Sequence, residues 1–149
     1  MMRLARRGRS PVGDDRGSVT VEFVALGPAV VMMVMLIIAG SRVALAHQSV
    51  EAAAADAARS ASLARTQGAA EVAGQQAGQQ SVSAQGLRCV WTDVQVDTSG
   101  FASPVGTPAS VTASVSCQVD LGDLVLPGLP GSMTITETAR SPLDTYRER

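Results

Sequence analysis

The sequence contains no lysine, one histidine, two cysteines and few aromatic residues. These scarcities exclude several functions. His47 is the single histidine, and it directly follows a long apolar run, so no Ser-His-Asp set can be assembled around it. A metal site would need more histidine or cysteine than the chain has. Asp93, Asp97, Asp120 and Asp123 lack the spacing of a calcium loop and read as solvated strand ends and turns. No glycine-rich phosphate loop follows a strand. The expectation is therefore a chain that is not an enzyme and carries no cofactor and no metal. The aromatics are Phe23, Trp91, Phe101 and Tyr146, too few to fill a large soluble core. A C-terminal domain of about 60 residues is marginal on burial alone and often needs a staple. Cys89 and Cys117 allow one intrachain disulfide.

Charge is missing altogether from one stretch. Glu22 and Arg42 bracket the nineteen uncharged residues 23–41, and residues 30–38 are Val, Met, Leu and Ile without interruption. As a helix this run is about 28 Å long, close to the hydrocarbon thickness of a bilayer. No other long apolar element is available to bury it, so a transmembrane helix is predicted. Gly27-Pro28 lies in its first third, and membrane helices tolerate the resulting bend. Ahead of it, Arg3, Arg6, Arg7, Arg9 and Arg16 outnumber Asp14 and Asp15, while the rest of the chain is net negative. Basic residues confined to a short arm beside an apolar run argue against nucleic-acid binding. Positive flanks stay in the cytoplasm. Residues 43–149 are thus expected outside it, in a compartment where cysteines can pair. Residues 1–17 lack apolar periodicity and are expected to be disordered.

Beyond the membrane the composition is helical, rich in Ala, Glu, Gln and Leu to about residue 65. Val43, His47, Val50, Ala54, Ala57, Ala61 and Ala64 form one stripe of mostly small residues. Small side chains let another helix approach closely. The predicted element is one long helix projecting as a stalk and ended by Gly68. A second short helix over residues 69–80 would be weakened by Gly74 and Gly78. The period then changes. Val90, Thr92, Val94 and Val96 alternate with Cys89, Trp91, Asp93 and Gln95. Two further alternating runs cover residues 111–119 and 133–138. These predict three strands joined by turn-rich stretches, and antiparallel pairing follows because no helical pattern separates them. Cys89 and Cys117 would fall on neighbouring strands. Their disulfide would close a loop of about 29 residues, worth roughly 3 kcal/mol. Residues 143–149 read as a frayed tail.

The expected class is α+β: a single N-terminal transmembrane helix continuing into an Ala-rich stalk helix, then a small antiparallel sheet of about three strands. The expected organisation is a basic leader over 1–17, the membrane helix over 18–42, the helical stalk over 43–86 and the β-domain over 87–149.

At the junction of leader and helix the chain reads Arg16-Gly17-Ser18-Val19-Thr20-Val21-Glu22-Phe23. This resembles the cleavage site of type IV prepilins and pseudopilins, in which a cytoplasmic-side peptidase cuts after a Gly and the fifth residue of the mature chain is Glu. Cleavage after Gly17 would make Ser18 the first residue and Glu22 the fifth. A carboxylate at the edge of a membrane helix costs about 2–3 kcal/mol if it moves inward, so it needs a partner. The new ammonium at Ser18, one helical turn away, would be that partner, within the same subunit or a neighbour. Charge position alone favours Glu22 merely marking the headgroup boundary; the Gly five residues before it, the basic leader and the immediate apolar run together reverse that preference. The stretch from Arg16 to Val24, Pro28, and Ala57-Ala58-Arg59-Ser60-Ala61 further resemble the TadE-like family, pseudopilin-like proteins of the tight-adherence (Flp) pilus machinery. That resemblance covers roughly residues 16–66 by motif. A first residue of Ser18, where major pilins begin with Phe or Met, fits pseudopilins better.

The resemblance implies a pseudopilin or minor-pilin-like subunit, with Glu22 and Phe23 in subunit pairing. Its partners would be the lipid bilayer, a prepilin peptidase and other pilin or pseudopilin subunits. The alternative is an uncleaved bitopic protein whose outer β-domain is a binding module. A third processing route is secretory cleavage at Ala44-Leu45-Ala46, which would release a domain starting at His47. Replacing Gly17 by Leu is expected to block processing, because a bulky side chain would not enter a pocket suited to glycine. Electrophoretic mobility checks this: the wild-type chain should shift on processing and the Gly17→Leu chain should not, and normal processing of the variant would rule out the site.

Overall fold

The computed structural model describes residues 18–120 and 131–146, with side chains at Val24 and from Leu26 onward. The leader expected to be disordered, Gly17, Asp123 and the turn-rich stretch after Asp120 lie outside the described residues, as do the last three residues. The chain divides into two units, Met1–Ile38 and Ala39–Arg149. Helix α1 (Ser18–Ser62) contributes to both.

In the first unit α1 runs through Pro28, whose missing N–H leaves the Val24 carbonyl without its helical donor. The described apolar side chains of this unit are exposed on every side of the helix, among them Leu26, Met32, Leu36 and Ile37. An all-round apolar helix is stable only in an apolar surrounding. It is the one helix among the described residues long and apolar enough to cross a membrane.

The second unit is a two-layer α+β assembly. The rest of α1 and helix α2 (Gln67–Ala84) cover one face of a three-stranded antiparallel sheet in the order β1-β2-β3. The strands are β1 (Cys89–Asp97), β2 (Ser110–Asp120) and β3 (Ser132–Pro142). The fold class is the one the sequence predicts. The register sets Val94 opposite Val115 and Cys117 opposite Ile135. Val94, Val111, Ala113, Val115, Cys117 and Ile135 point at the helices and are buried. The opposite face is a lattice of hydroxyls: Ser116 bonds Thr136 at 2.9 Å, and Thr138 donates to Ser114 at 3.3 Å.

The alanine-rich half of α1 supplies core rather than a free-standing stalk. Ala46, Val50, Ala53, Ala54, Ala57, Ala58 and Ala61 are all buried. The buried arc is wider than the predicted stripe, because α2 and the sheet both press on it. His47, assigned to that stripe by spacing, is instead half-exposed, and Ala46 takes the inward position. Four side-chain hydrogen bonds tie α1 to its neighbours. His47 and Ser62 reach Glu137 and Ser141 of β3. Asp56 accepts from Ser81 of α2, and Ser49 O accepts from Gln85 just beyond it.

Three expectations are corrected. Helix α1 ends at Ser62, not at Gly68, because Thr66 caps the next helix: its hydroxyl accepts from the Ala69 N–H at 3.3 Å. Gly68 therefore lies inside the first turn of α2. Helix α2 is longer than predicted, since Gly74 and Gly78, read as weak points, are buried where it meets both α1 and β1. The tail is anchored further than expected: Leu143 is buried, and its N–H donates to Ala109 O at 2.8 Å. Packing with Phe101 and Val111 holds it there.

A Cβ on Gly74 would stand 2.9 Å from a Val96 methyl and 3.1 Å from both the Ala57 carbonyl and the Ala61 Cβ. On Gly78 it would stand 2.9 Å from Val94. Glycine here lets two helices and a strand meet. Valine is stiff at χ1, so relief requires movement of the backbone. Overpacking of this kind costs about 1–3 kcal/mol, more than the roughly 1 kcal/mol that alanine gains in helix propensity. Gly74→Ala is thus expected to destabilise the outer unit by about 1–2 kcal/mol. Gly68→Ala, with open space around it, should be neutral or slightly stabilising. Thermal unfolding of the full chain followed by circular dichroism separates the two.

Candidate membrane and assembly interface

Ser18 is the first residue of α1, and Glu22 follows it by four, so the two lie one turn apart on the same side of the helix. Phe23 is the next residue. The structure describes the backbone of these three positions, and Gly17 lies outside the described residues. From Val24, the residue after Phe23, the described apolar side chains of the helix are exposed through Ile38.

The cysteines are joined: Cys89 and Cys117 form a disulfide across β1 and β2, with Cα atoms 5.5 Å apart. Simple alternation puts Cys89 on the face of Trp91 and Asp93, away from Cys117. A register shift between Cys89 and Trp91 reverses this. Thr92 pairs with Cys117 and Trp91 with Gln118, but Cys89 pairs with Val119, so Val90 is an extra residue. The bulge turns Cys89 inward and leaves Val90 64% exposed.

The remaining polar candidates are held by local bonds. His47 Nδ1 lies 2.9 Å from Glu137 Oε1, a hydrogen bond that becomes an ion pair only when the imidazole is protonated. Both groups are partly exposed, so the pair contributes at most about 1 kcal/mol. Asp93 accepts from Gln95. Asp97 accepts from the Ser99 N–H at 2.9 Å and opens the 3-10 turn Ser99–Ala102. That backbone hydrogen bond, with the Ser99 side chain and Arg140 adding to it, holds the Asp97 carboxyl below its usual pKa.

One feature was not visible in the sequence. A cavity of about 650 Å³ opens between α1, the segment joining α2 to β1, and the adjoining ends of β2 and β3. Arg42 and Arg88 line it together with Leu45, Leu87, Val90 and Met133. Arg42 was legible as the first charge after the apolar run. Arg88 had no distinguishing signal, and only the fold sets it beside Arg42.

Together these elements define a small α+β unit that follows an N-terminal apolar helix able to cross a membrane. Residues 17–59 match the family model of TadE-like protein. The match begins at Gly17 and covers the apolar segment and most of the buried alanine arc, the region where the sequence resembles that family. No curated protein and no solved structure matches the chain.

The bulge makes a specific prediction. Deleting Val90 removes the extra residue and leaves Cys89 facing Cys117, so the disulfide should still form. Deleting Val90 and Trp91 together instead leaves an odd spacing from Cys89 to Val94, carries Cys89 to the opposite face and should leave free thiols. Non-reducing mass measurement after thiol alkylation distinguishes the two variants.

Proposed function

We propose that this chain is a pseudopilin or minor-pilin-like membrane subunit that helps assemble an adhesive tight-adherence pilus or a related secretion apparatus. A prepilin peptidase cuts it after Gly17. The observation that carries this reading is the TadE-like match over residues 17–59, coinciding with a helix that starts at Ser18 and exposes apolar side chains through Ile38. The leader stays in the cytoplasm, because its arginines lie on that side of the span. The unit after the span lies outside the cytoplasm, where a disulfide persists. The chain acts by packing, not by catalysis.

Cleavage creates the ammonium of Ser18, and this group neutralises the Glu22 carboxylate of the same or an adjacent subunit. Glu22 and Phe23 thereby mark where subunits pair within the bilayer. Peptidase, bilayer and sister subunits are the partners of this cycle. Release by cleavage at Ala44-Leu45-Ala46 is disfavoured by the continuity of α1 there and by the burial of Ala46 in the core.

N-terminal sequencing of the exported protein tests the reading: Ser18 as first residue supports it, while Met1 favours a bitopic binding module and His47 a released domain. Glu22→Ala is expected to insert and be cut at near wild-type levels yet fail to enter the assembly, because the new ammonium then lacks its counter-charge. Normal incorporation of this variant, measured by co-purification with its sister subunits, would overturn the pairing.

A further inference from the structure

We propose that the cavity between α1 and the sheet ends is a binding site for the headgroup of an anionic phospholipid. The inference rests on the reading of α1 as a membrane span. Arg42 is the first charged residue after nineteen uncharged ones. If residues 23–41 occupy the hydrocarbon, Arg42, which lines the cavity, stands where the chain leaves the bilayer.

The walls fit that occupant. Arg42 and Arg88 approach from separate elements, and among the described residues neither guanidinium has a hydrogen-bond or ion-pair partner. Asp120 also lines the cavity, and the arginines outnumber it. Guanidinium is the side chain best matched to the paired oxygens of a phosphate. Ser49 and Gln85 also line the cavity, and Leu45, Leu87, Val90 and Met133 add apolar wall suited to the glycerol and first acyl carbons. Leu45 is 60% exposed and Val90 64% exposed, apolar area that the lipid would cover. Trp91 sits next to Val90 in sequence and is also exposed; tryptophan is favoured at membrane interfaces. A volume of about 650 Å³ is that of an ordinary small-molecule site. Basic pockets beside membrane helices hold anionic headgroups by this chemistry.

The bulge at Val90 takes part. The disulfide fixes Cys89, which lines the cavity, against β2. Arg88 is its neighbour in sequence, so its backbone is tied to the same point.

The test uses the full chain in mild detergent, with phosphatidylglycerol, phosphatidylcholine or glycerol 3-phosphate added and the retained molecule weighed by native mass spectrometry. Phosphatidylglycerol should be retained in preference to phosphatidylcholine. Glycerol 3-phosphate should not displace it, which separates a lipid from a free phosphate. Arg42→Gln and Arg88→Gln should each weaken retention about fivefold, and the double variant should abolish it. Both side chains are exposed, so the melting temperature should not move, and circular dichroism verifies this. Equal retention of the two lipids, or undiminished retention by the double variant, would overturn the proposal. Carbonate-resistant membrane association is read in parallel. If the chain fails to associate, the membrane reading falls; if it associates but retains no phosphatidylglycerol, this inference alone falls.

Discussion

The close approach of an alanine face to a valine-rich sheet is the interaction on which the outer unit depends. Alanine buries little area per residue, so such a core gains stability only through many contacts at short range. The structure achieves them by removing side chains where three elements converge. Gly74 and Gly78 bring α2 against Ala57 and Ala61 on one side and against Val94 and Val96 on the other. The disulfide supplements this small core by linking β1 to β2. The scarcity of aromatics thus has a structural counterpart: thin layers, closely spaced and stapled.

The same helix meets two requirements along its length. Through Ile38 its apolar side chains are large and exposed all round, which suits lipid. From Ala46 to Ala61 its buried residues are nearly all alanine and confined to one arc, which suits protein packing. The change from Met, Leu and Ile to Ala marks the change of surroundings. The TadE-like match spans this transition. What the match covers is the helix that serves both environments, and the sheet lies outside it. In an assembly reading, the exposed apolar part is available to neighbouring subunits, and the alanine arc is already occupied by the chain's own sheet.

The three strands, their antiparallel order and the two helical regions were legible because each depends on local periodicity and turn chemistry. Less legible were positions decided by what an element packs against. His47 and Ala46 are adjacent on α1, and a spacing rule chose His47 for the interior. The sheet and α2 widen the buried arc toward Ala46, and Glu137 draws His47 to the edge. Gly74 and Gly78 carried the opposite signal from their role, since propensity scores a glycine by its backbone entropy and takes no account of a neighbour that needs the space. Leu143 seemed part of a tail because its partners, Phe101 and Val111, are distant in sequence. In the candidate site, Gly17, Ser18, Glu22 and Phe23 form one short segment and could be read directly, whereas the pairing of Arg42 with Arg88 is a product of topology.

The sequence by itself determined the uncharged span, the placement of Glu22 and Arg42 at its ends, the alternation that makes three strands and the presence of two cysteines to join. Each is a property of neighbours along the chain, where composition and period suffice. Tertiary structure alone decided that Val90 is extruded so that Cys89 turns toward Cys117, that glycines form the contact between layers, and that two arginines from separate elements line one cavity. Those outcomes depend on which atoms approach through space, and a strand's register can shift by one residue without leaving any trace in its periodicity.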